Sequence, residues 1–387
     1  MSTRRSTLLG ASAAALAALL LTACSPGTTD DSASGSTGSA AAGGPLAQVQ
    51  ADVEKAAQAR DSFDVPTDPV DVSALSGKTV YYVPLTAQIS VFQVYGEKIR
   101  QALDAVGVKL QICDGGANPS QISGCIDQAV GASAAAIVAD NVPYGMAANS
   151  FDAARAKNIP VLIANQIPDD QHPADPTLAY LPGPATQMIT SAADWIIADS
   201  GGKATVVLQK VTDNPSTIAW GEAAEKEFAD RCPDCTVVVN EVSAANFPVI
   251  PSSTSSAILS HPDTRYVLAE FEHFVQPTVG GIQQTPNAAQ IKVVSSAATL
   301  NGLQMIASDG AVQADAGQNF AYQGWATADA VFRLAAGQQV PEYDVSFRLF
   351  TKDDIGEVDL TEDGQSSGSW YGPTDYTKDF TALWSRG

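Results

Sequence analysis

Thr79-Val80-Tyr81-Tyr82-Val83 is a run of β-branched and aromatic residues with no polar alternation. After a polar turn comes a segment, 92–106, in which Val94, Ile99, Leu103 and Val106 recur at helical spacing. A strand apolar on both faces needs cover on both faces, and a helix directly after it is the usual cover in a parallel sheet. The same unit repeats downstream, with strand 110–113 and helix 120–130, strand 135–138 and helix 146–156, and then strand 161–164. Near 180–183 the chain changes partner. A second series follows, comprising helix 185–198, strand 204–208, helix 217–229, strand 236–239, helix 251–259, and strands 266–269 and 291–294. The expected class is therefore α/β, with two Rossmann-like lobes of parallel sheet and a cleft between them where the carboxyl ends of the strands gather. Helix 321–336, a strand at 343–350 and a polar tail whose last apolar segment is 376–384 complete the chain.

Upstream of this body, Leu46, Val49, Val53, Ala56 and Ala57 mark an amphipathic helix within 46–63, and a proline-rich connector occupies 65–69. Residues 25–45 are mostly Ser, Gly, Thr and Ala, a composition that buries nothing and serves as a tether with a reach of roughly 25 Å. Before it, Arg4-Arg5 precedes an apolar run at 8–21, too short and alanine-rich for a stable membrane span, which ends in small residues, as an export leader does. Leu21-Thr22-Ala23-Cys24 resembles the lipobox of bacterial lipoproteins, which implies cleavage after residue 23 and lipidation of Cys24. Thr3-Arg4-Arg5 also resembles a twin-arginine signal, with Thr7 where a bulky apolar residue is usual, so the export route stays open.

The formal charge is −21, more negative once Arg4 and Arg5 leave with the leader. Such a field repels nucleic acid and anionic headgroups and keeps an exported protein in solution. Beyond Cys24 stand Cys113, Cys125, Cys232 and Cys235. Outside the cytoplasm an even count suggests two disulfides, and of three connectivities the local one, Cys113 with Cys125 and Cys232 with Cys235, is the simplest. Cys232-Pro-Asp-Cys235 also has the form of a redox motif or half a zinc site, but no thioredoxin-like helix follows it and a second ligand pair is missing. For an enzyme the chain is poor in machinery. It has three histidines and no G-x-S-x-G, H-E-x-x-H or phosphate loop. Glu270, Glu272 and His273 are its best candidates for acid–base or metal chemistry. The expectation is no catalytic residue, no metal and no cofactor.

From 78 to 350 the order of elements, with Val161-Leu162-Ile163-Ala164-Asn165 after Asn158-Ile159-Pro160, Ser260-His261-Pro262-Asp263 before a strand and Thr327-Ala328-Asp329-Ala330 in the penultimate helix, resembles the ribose-type periplasmic solute-binding proteins, relatives of the LacI repressor lobes. No helix-turn-helix precedes the body, which favours a receptor over a repressor. The resemblance implies the type 1 periplasmic binding protein fold, with three crossover strands about which the lobes close on a ligand. It implies an extracytoplasmic, membrane-anchored monomer delivering a small molecule to an ABC transporter permease. It divides the chain into a leader (1–23), a tether (24–45), a helix and connector (46–77), an N-terminal lobe (78–182 plus 316–340) and a C-terminal lobe with tail (183–315 plus 341–387).

Carried over by position, the implied ligand residues are Gln88, Phe92, Asn165, Gln166, Trp220, Phe247, Phe271, Ala297 and Asp315. Where sugar-binding members place Asp and Arg forks at the fourth strand end, an Arg before a helix glycine, and Asn and Asp at the next two strand ends, this chain reads Asn165, Gln166, Trp220, Phe271 and Ala297. Charged forks make short, strong hydrogen bonds to hydroxyls and would be stranded without them. Their loss, with aromatic faces retained, implies a small ligand less hydroxylated than a free sugar: a modified sugar, a cyclic alcohol or an aromatic metabolite. An enzyme on the same bilobed scaffold, or a receptor signalling to a membrane sensor without transport, are the alternatives.

Overall fold

The structure is a computed structural model and describes residues 44–385. The leader, Cys24 and the tether up to residue 43 lie outside the described residues. Helix α1 (Pro45–Ala56) and the short strand β1 (Val70–Asp71) precede the body. Then come β2 (Thr79–Pro84), α2 (Ser90–Asp104), β3 (Lys109–Ile112), α3 (Pro119–Gly131), β4 (Ala136–Asp140), α4 (Ala148–Ala156), β5 (Val161–Ala164) and β6 (Leu178–Leu181). Their parallel sheet has the order β3-β2-β4-β5-β6. The second lobe contains α5 (Ala185–Asp199), β7 (Thr205–Val211), α6 (Pro215–Arg231), β8 (Thr236–Val242), α7 (Ile250–Ser260), β9 (Tyr266–Ala269), α8 (Val275–Ile282), β10 (Lys292–Ser296), α9 (Leu300–Ala307) and β11 (Val312–Gln318). The chain ends with α10 (Phe320–Ala335), β12 (Phe347–Thr351), α11 (Glu362–Ser367), α12 (Tyr376–Leu383) and β13 (Trp384–Ser385). The second sheet has the order β12-β11-β10-β9-β7-β8, with β12 antiparallel to β11 at its edge.

Each sheet is covered on both faces, as the non-alternating strands require. On one face of the first sheet Tyr82, Val138 and Leu162 pack with Tyr95 and Ile99 of α2 and Phe332 of α10. On the other, Val83, Ile137 and Ile163 pack with Ile126 of α3 and Phe151 of α4. Helices α2 and α10 approach so closely that a side chain on Gly324 would fall 2.8 Å from the Lys98 carbonyl carbon. Helices α3 and α6 begin at Asn-Pro pairs. Asn118 and Asn214 each accept from two orphan backbone N–H groups, and the proline lacks the donor that would go unmet.

The three expected crossings are present, at 182–184, at 319 and at 336–346, and the termini add two. Val49 of α1 packs into the C-terminal lobe, whereas Val70 lies in the N-terminal lobe's core. Trp370 and Tyr371 belong to the C-terminal lobe, whereas Tyr376, Phe380 and Trp384 belong to the N-terminal one. The structure thus departs from the expected assignment of 341–387 to one lobe, because α12 finds its apolar partner on α10. The two terminal passages support each other: Arg60 donates its backbone N–H to the Tyr371 carbonyl at 2.8 Å, and β1 pairs with β13. Phe63 stacks on Tyr322 and meets Tyr376 edge-on.

Disulfides join Cys113 to Cys125 and Cys232 to Cys235, with Cα separations of 5.7 and 5.3 Å. Helices α8 and α9 and strand β11 had no counterpart in the sequence reading, and the strand read at 343–350 begins at Phe347. Among the described residues no helix is long and apolar enough to cross a membrane.

Candidate functional site

The carboxyl ends of the strands in both lobes face a common cleft of about 150 Å³. The lobes meet beside it, where the Ile167 backbone N–H donates to Ser216 Oγ at 3.1 Å. The N-terminal lobe lines it with Leu85, Thr86, Ile89 and Phe92 of the first βα loop and helix, and with Asn141 and Asn165 at the ends of β4 and β5. The C-terminal lobe contributes Asp213, Asn214, Trp220, Phe271, Glu272, His273 and Ala297, while Gln318 and Phe320 come from the second crossing.

Three strand-end residues, Asn141, Asn165 and Ala297, hold φ values of 57°, 54° and 68°. Asparagine tolerates this left-handed conformation, but an alanine there costs roughly 1–2 kcal/mol, strain of the kind that gathers at binding sites.

The polar groups at the hinge are heavily committed. Asn165 donates to Asp140 at 2.7 Å, and its carbonyl oxygen accepts from Gln318 at 3.0 Å and from Gln323 at 2.9 Å. Asp140 also accepts from the Tyr82 hydroxyl at 2.6 Å. Burial pushes the Asp140 carboxyl up to about 6, against the pull of these two donors. Gly183 of the first crossing leaves no room for a side chain, since a Cβ there would sit 2.5 Å from Asn165 Oδ1.

Opposite this network lies an aromatic face. Trp220 meets Phe271 edge-on at 6.0 Å, and the His273 ring runs parallel to Phe271 and Phe247 at 5.9 and 6.5 Å. Burial depresses the His273 imidazole to about 4, which keeps it neutral near pH 7. Glu272 accepts from the Thr299 backbone N–H and, at 2.8 Å, from its hydroxyl, at the start of α9. Among the described residues no Lys or Arg lines the cleft.

Of the nine residues carried over by position, Phe92, Asn165, Trp220, Phe271 and Ala297 line the cleft. Four stand away from it. Gln88 is exposed and donates to Asp114 at 3.3 Å. Gln166 is buried, donating to Asn141 Oδ1 and to the Asn165 carbonyl, both at 2.9 Å. Phe247 is 39% exposed at the rim. Asp315 lies inside β11, fully buried and bonded to Ser295 at 2.7 Å, its carboxyl pushed well up by burial and by the neighbouring Glu272 charge. Strand β11 runs on past Asp315 to Gln318, so its cleft-facing end is Gln318 rather than Asp315.

Sequence reasoning did not place Asn141, Asn214 or Gln318 at the site. Only Asn214 left a signal, the Asn-Pro pair at a helix start. Glu270, Glu272 and His273 do not converge: Glu270 accepts from the Val211 N–H at 2.6 Å, Glu272 turns to α9, and His273 enters the aromatic face. Among the described residues no group of three or more His, Cys, Asp or Glu is arranged to hold a metal ion.

Residues 80–339 match the periplasmic binding protein domain. The fold is similar to that of a 5-methylthioribose transporter solute-binding protein from Thermotoga lettingae, solved with 5-methylthioribose, at 17% identity and TM-score 0.67, covering 82% of this chain and 99% of that one. It is also similar to a sugar ABC transporter protein from Yersinia enterocolitica (14% identity, TM-score 0.67, covering 83% and 98%). A third similar structure is an ABC transporter solute-binding protein from Agrobacterium vitis bound to α-D-tagatopyranose (18% identity, TM-score 0.65, covering 72% and 96%). No protein of curated function matches the sequence.

Proposed function

The chain belongs to the periplasmic binding protein domain family, and on that premise we propose that it is an extracytoplasmic receptor that closes its lobes on one small, uncharged, sparsely hydroxylated ligand and delivers it to an ABC import permease. The observation that carries this reading is the composition of the cleft: an aromatic face from Trp220 to His273, apolar Phe92 and Phe320 across from it, and, among the described residues, no cationic fork. Rings of this kind cover the C–H face of a sugar-like ligand, and a few amide and hydroxyl groups orient it. A ligand rich in hydroxyls would lose more hydration than this lining returns. The reading therefore favours deoxy, alkyl- or thioalkyl-substituted sugars and cyclic alcohols over free hexoses. The 5-methylthioribose seen in the Thermotoga relative is of that type.

The ligand contacts in this reading are Phe92, Trp220, Phe271, Asn141 and Asn214, with Asn165 and Ala297 shaping the floor. Cys24 carries the lipid, and the Ser- and Gly-rich segment behind it leashes a monomeric body to the outer face of the membrane. Delivery requires that the ligand leave unchanged. Thermal-shift and native mass-spectrometric titration against pentoses, 6-deoxyhexoses, 5-alkylthiopentoses and hexoses tests this. The expected result is stabilisation by sparsely hydroxylated members, with each recovered intact. Preference for free hexoses, or recovery of a product, would overturn the reading. For the anchor, Cys24→Ala is expected to release the protein into the medium with ligand affinity unchanged.

A further inference from the structure

His273 stands on the turn after β9, beside Phe271, with its ring against Phe274 at 4.0 Å and parallel to Phe271 and Phe247. It lines the cleft, and neither ring nitrogen has a hydrogen-bond partner among the described residues. The other polar side chains nearby are partly spent on the protein. Asn141 Oδ1 accepts from Gln166, Asn214 Oδ1 accepts from two backbone N–H groups of α6, the Thr86 hydroxyl accepts from the Gln88 N–H, and the Thr217 and Thr299 hydroxyls donate to Asn214 and Glu272. His273 spends neither nitrogen.

We propose that His273 is the specificity-determining polar contact of the cleft, offering a donor at one ring nitrogen and an acceptor at the other, one of which pairs with a ligand hydroxyl while the ring face stays in the aromatic stack. The inference rests on the reading given under Proposed function and deepens it, because it says which part of the ligand stays hydroxylated. The C–H face lies along Trp220 and Phe271, and the ligand's hydroxyl-bearing edge turns toward 273. A ligand without a hydroxyl there strands the imidazole in a site from which closure has removed water, and discrimination comes from that cost. The neutral ring suits this role, since it keeps both a donor and an acceptor, whereas an imidazolium would only donate.

The test is isothermal titration of wild type, His273→Phe and His273→Gln with D-ribose, 5-methylthioribose, D-fucose and the monodeoxy analogues of whichever binds most tightly. His273→Phe keeps the flat ring and removes both nitrogens, so affinity is expected to fall about tenfold, the weight of one net hydrogen bond at the upper end of its range. His273→Gln is expected to recover most of that loss. One monodeoxy analogue is expected to bind wild type about tenfold more weakly than its parent yet bind His273→Phe nearly as well as the parent does, the signature of a direct pairing. Melting of the ligand-free variants reports any structural loss separately. Equal affinity of wild type and His273→Phe for every probe would overturn this inference alone. Failure of wild type to bind any probe would overturn the reading beneath it.

Discussion

The two walls of the cleft are built on opposite plans. The N-terminal wall ends in amides and carboxyls already bonded to one another, so Asn165 serves three protein partners before any ligand arrives. The C-terminal wall ends in rings that pack on one another, from Trp220 through Phe271 to His273, with no side-chain hydrogen bond spent on the other described residues. The difference teaches that a polar residue at a strand end is not by itself a ligand contact. In the first lobe those positions hold the hinge, where residues of β4, β5 and two crossings meet. In the second they form a surface. Mutations in the hinge network of the first wall are therefore expected to cost stability, and mutations of the rings on the second to cost affinity.

Asn165→Ala tests the first half of this contrast most severely. It removes three buried hydrogen bonds and leaves an alanine at positive φ, so chemical denaturation is expected to show a loss of about 3 kcal/mol. A loss of affinity at undiminished stability would break the contrast. Trp220→Ala tests the second half. Affinity for the ligand is expected to fall by about 2 kcal/mol or more, as for a central aromatic contact, and the indole fluorescence of wild type should change on binding. An unchanged affinity would return Trp220 to the core.

Smaller effects sharpen the same comparison. Asp140 has a folded value of about 6 against 3.8 for the unbonded group, so the folded state holds its proton more tightly. The stability it contributes is present below the lower value and fades as pH rises through about 6. The unfolding free energy of wild type minus that of Asp140→Asn is therefore expected to decline between about pH 4 and 7, and a flat difference would remove Asp140 from the hinge network's proton balance. Asp114 anchors the first cleft loop through the Ala87 N–H at 2.8 Å and the Gly116 N–H at 2.9 Å, beside the Cys113–Cys125 disulfide. Asp114→Ala is expected to cost about 1 kcal/mol in stability, with a several-fold weaker affinity as Leu85 and Ile89 lose their support. Phe247→Ala at the exposed rim is expected to change affinity by less than about 0.5 kcal/mol. A change as large as that of Trp220→Ala would carry the aromatic wall out to residue 247.

Much of the framework could be read from local patterns. The runs at 79–83, 135–138 and 161–164 lack alternation because both faces are covered, and they became β2, β4 and β5 of a parallel sheet. The Asn118-Pro119 turn into a helix behaves as its residue types demand, because a cap is settled within one turn of chain. The cysteine pairs, close in sequence, closed locally. These outcomes depend on neighbours a few residues apart, and the linear order supplies them directly.

What only the tertiary structure decided depends on groups that come from far along the chain. Val312-Gln313-Ala314-Asp315-Ala316-Gly317-Gln318 has no β signature of its own and becomes a strand because β10 and β12 flank it. That same strand moved the cleft contact from Asp315 to Gln318. Asn165 looked like a free amide until Gln318, 153 residues away, and Gln323 arrived at its oxygen. The terminal passages between the lobes likewise exist because Tyr376 and Phe380 find apolar partners on α10 rather than on the lobe that precedes them in sequence. The sequence by itself determined the α/β class, the two lobes and the local turns, since periodicity and capping act within a few residues. The tertiary structure alone decided which polar groups remain free to meet a ligand, because a hydrogen bond is spent or unspent only once distant partners have been brought within reach.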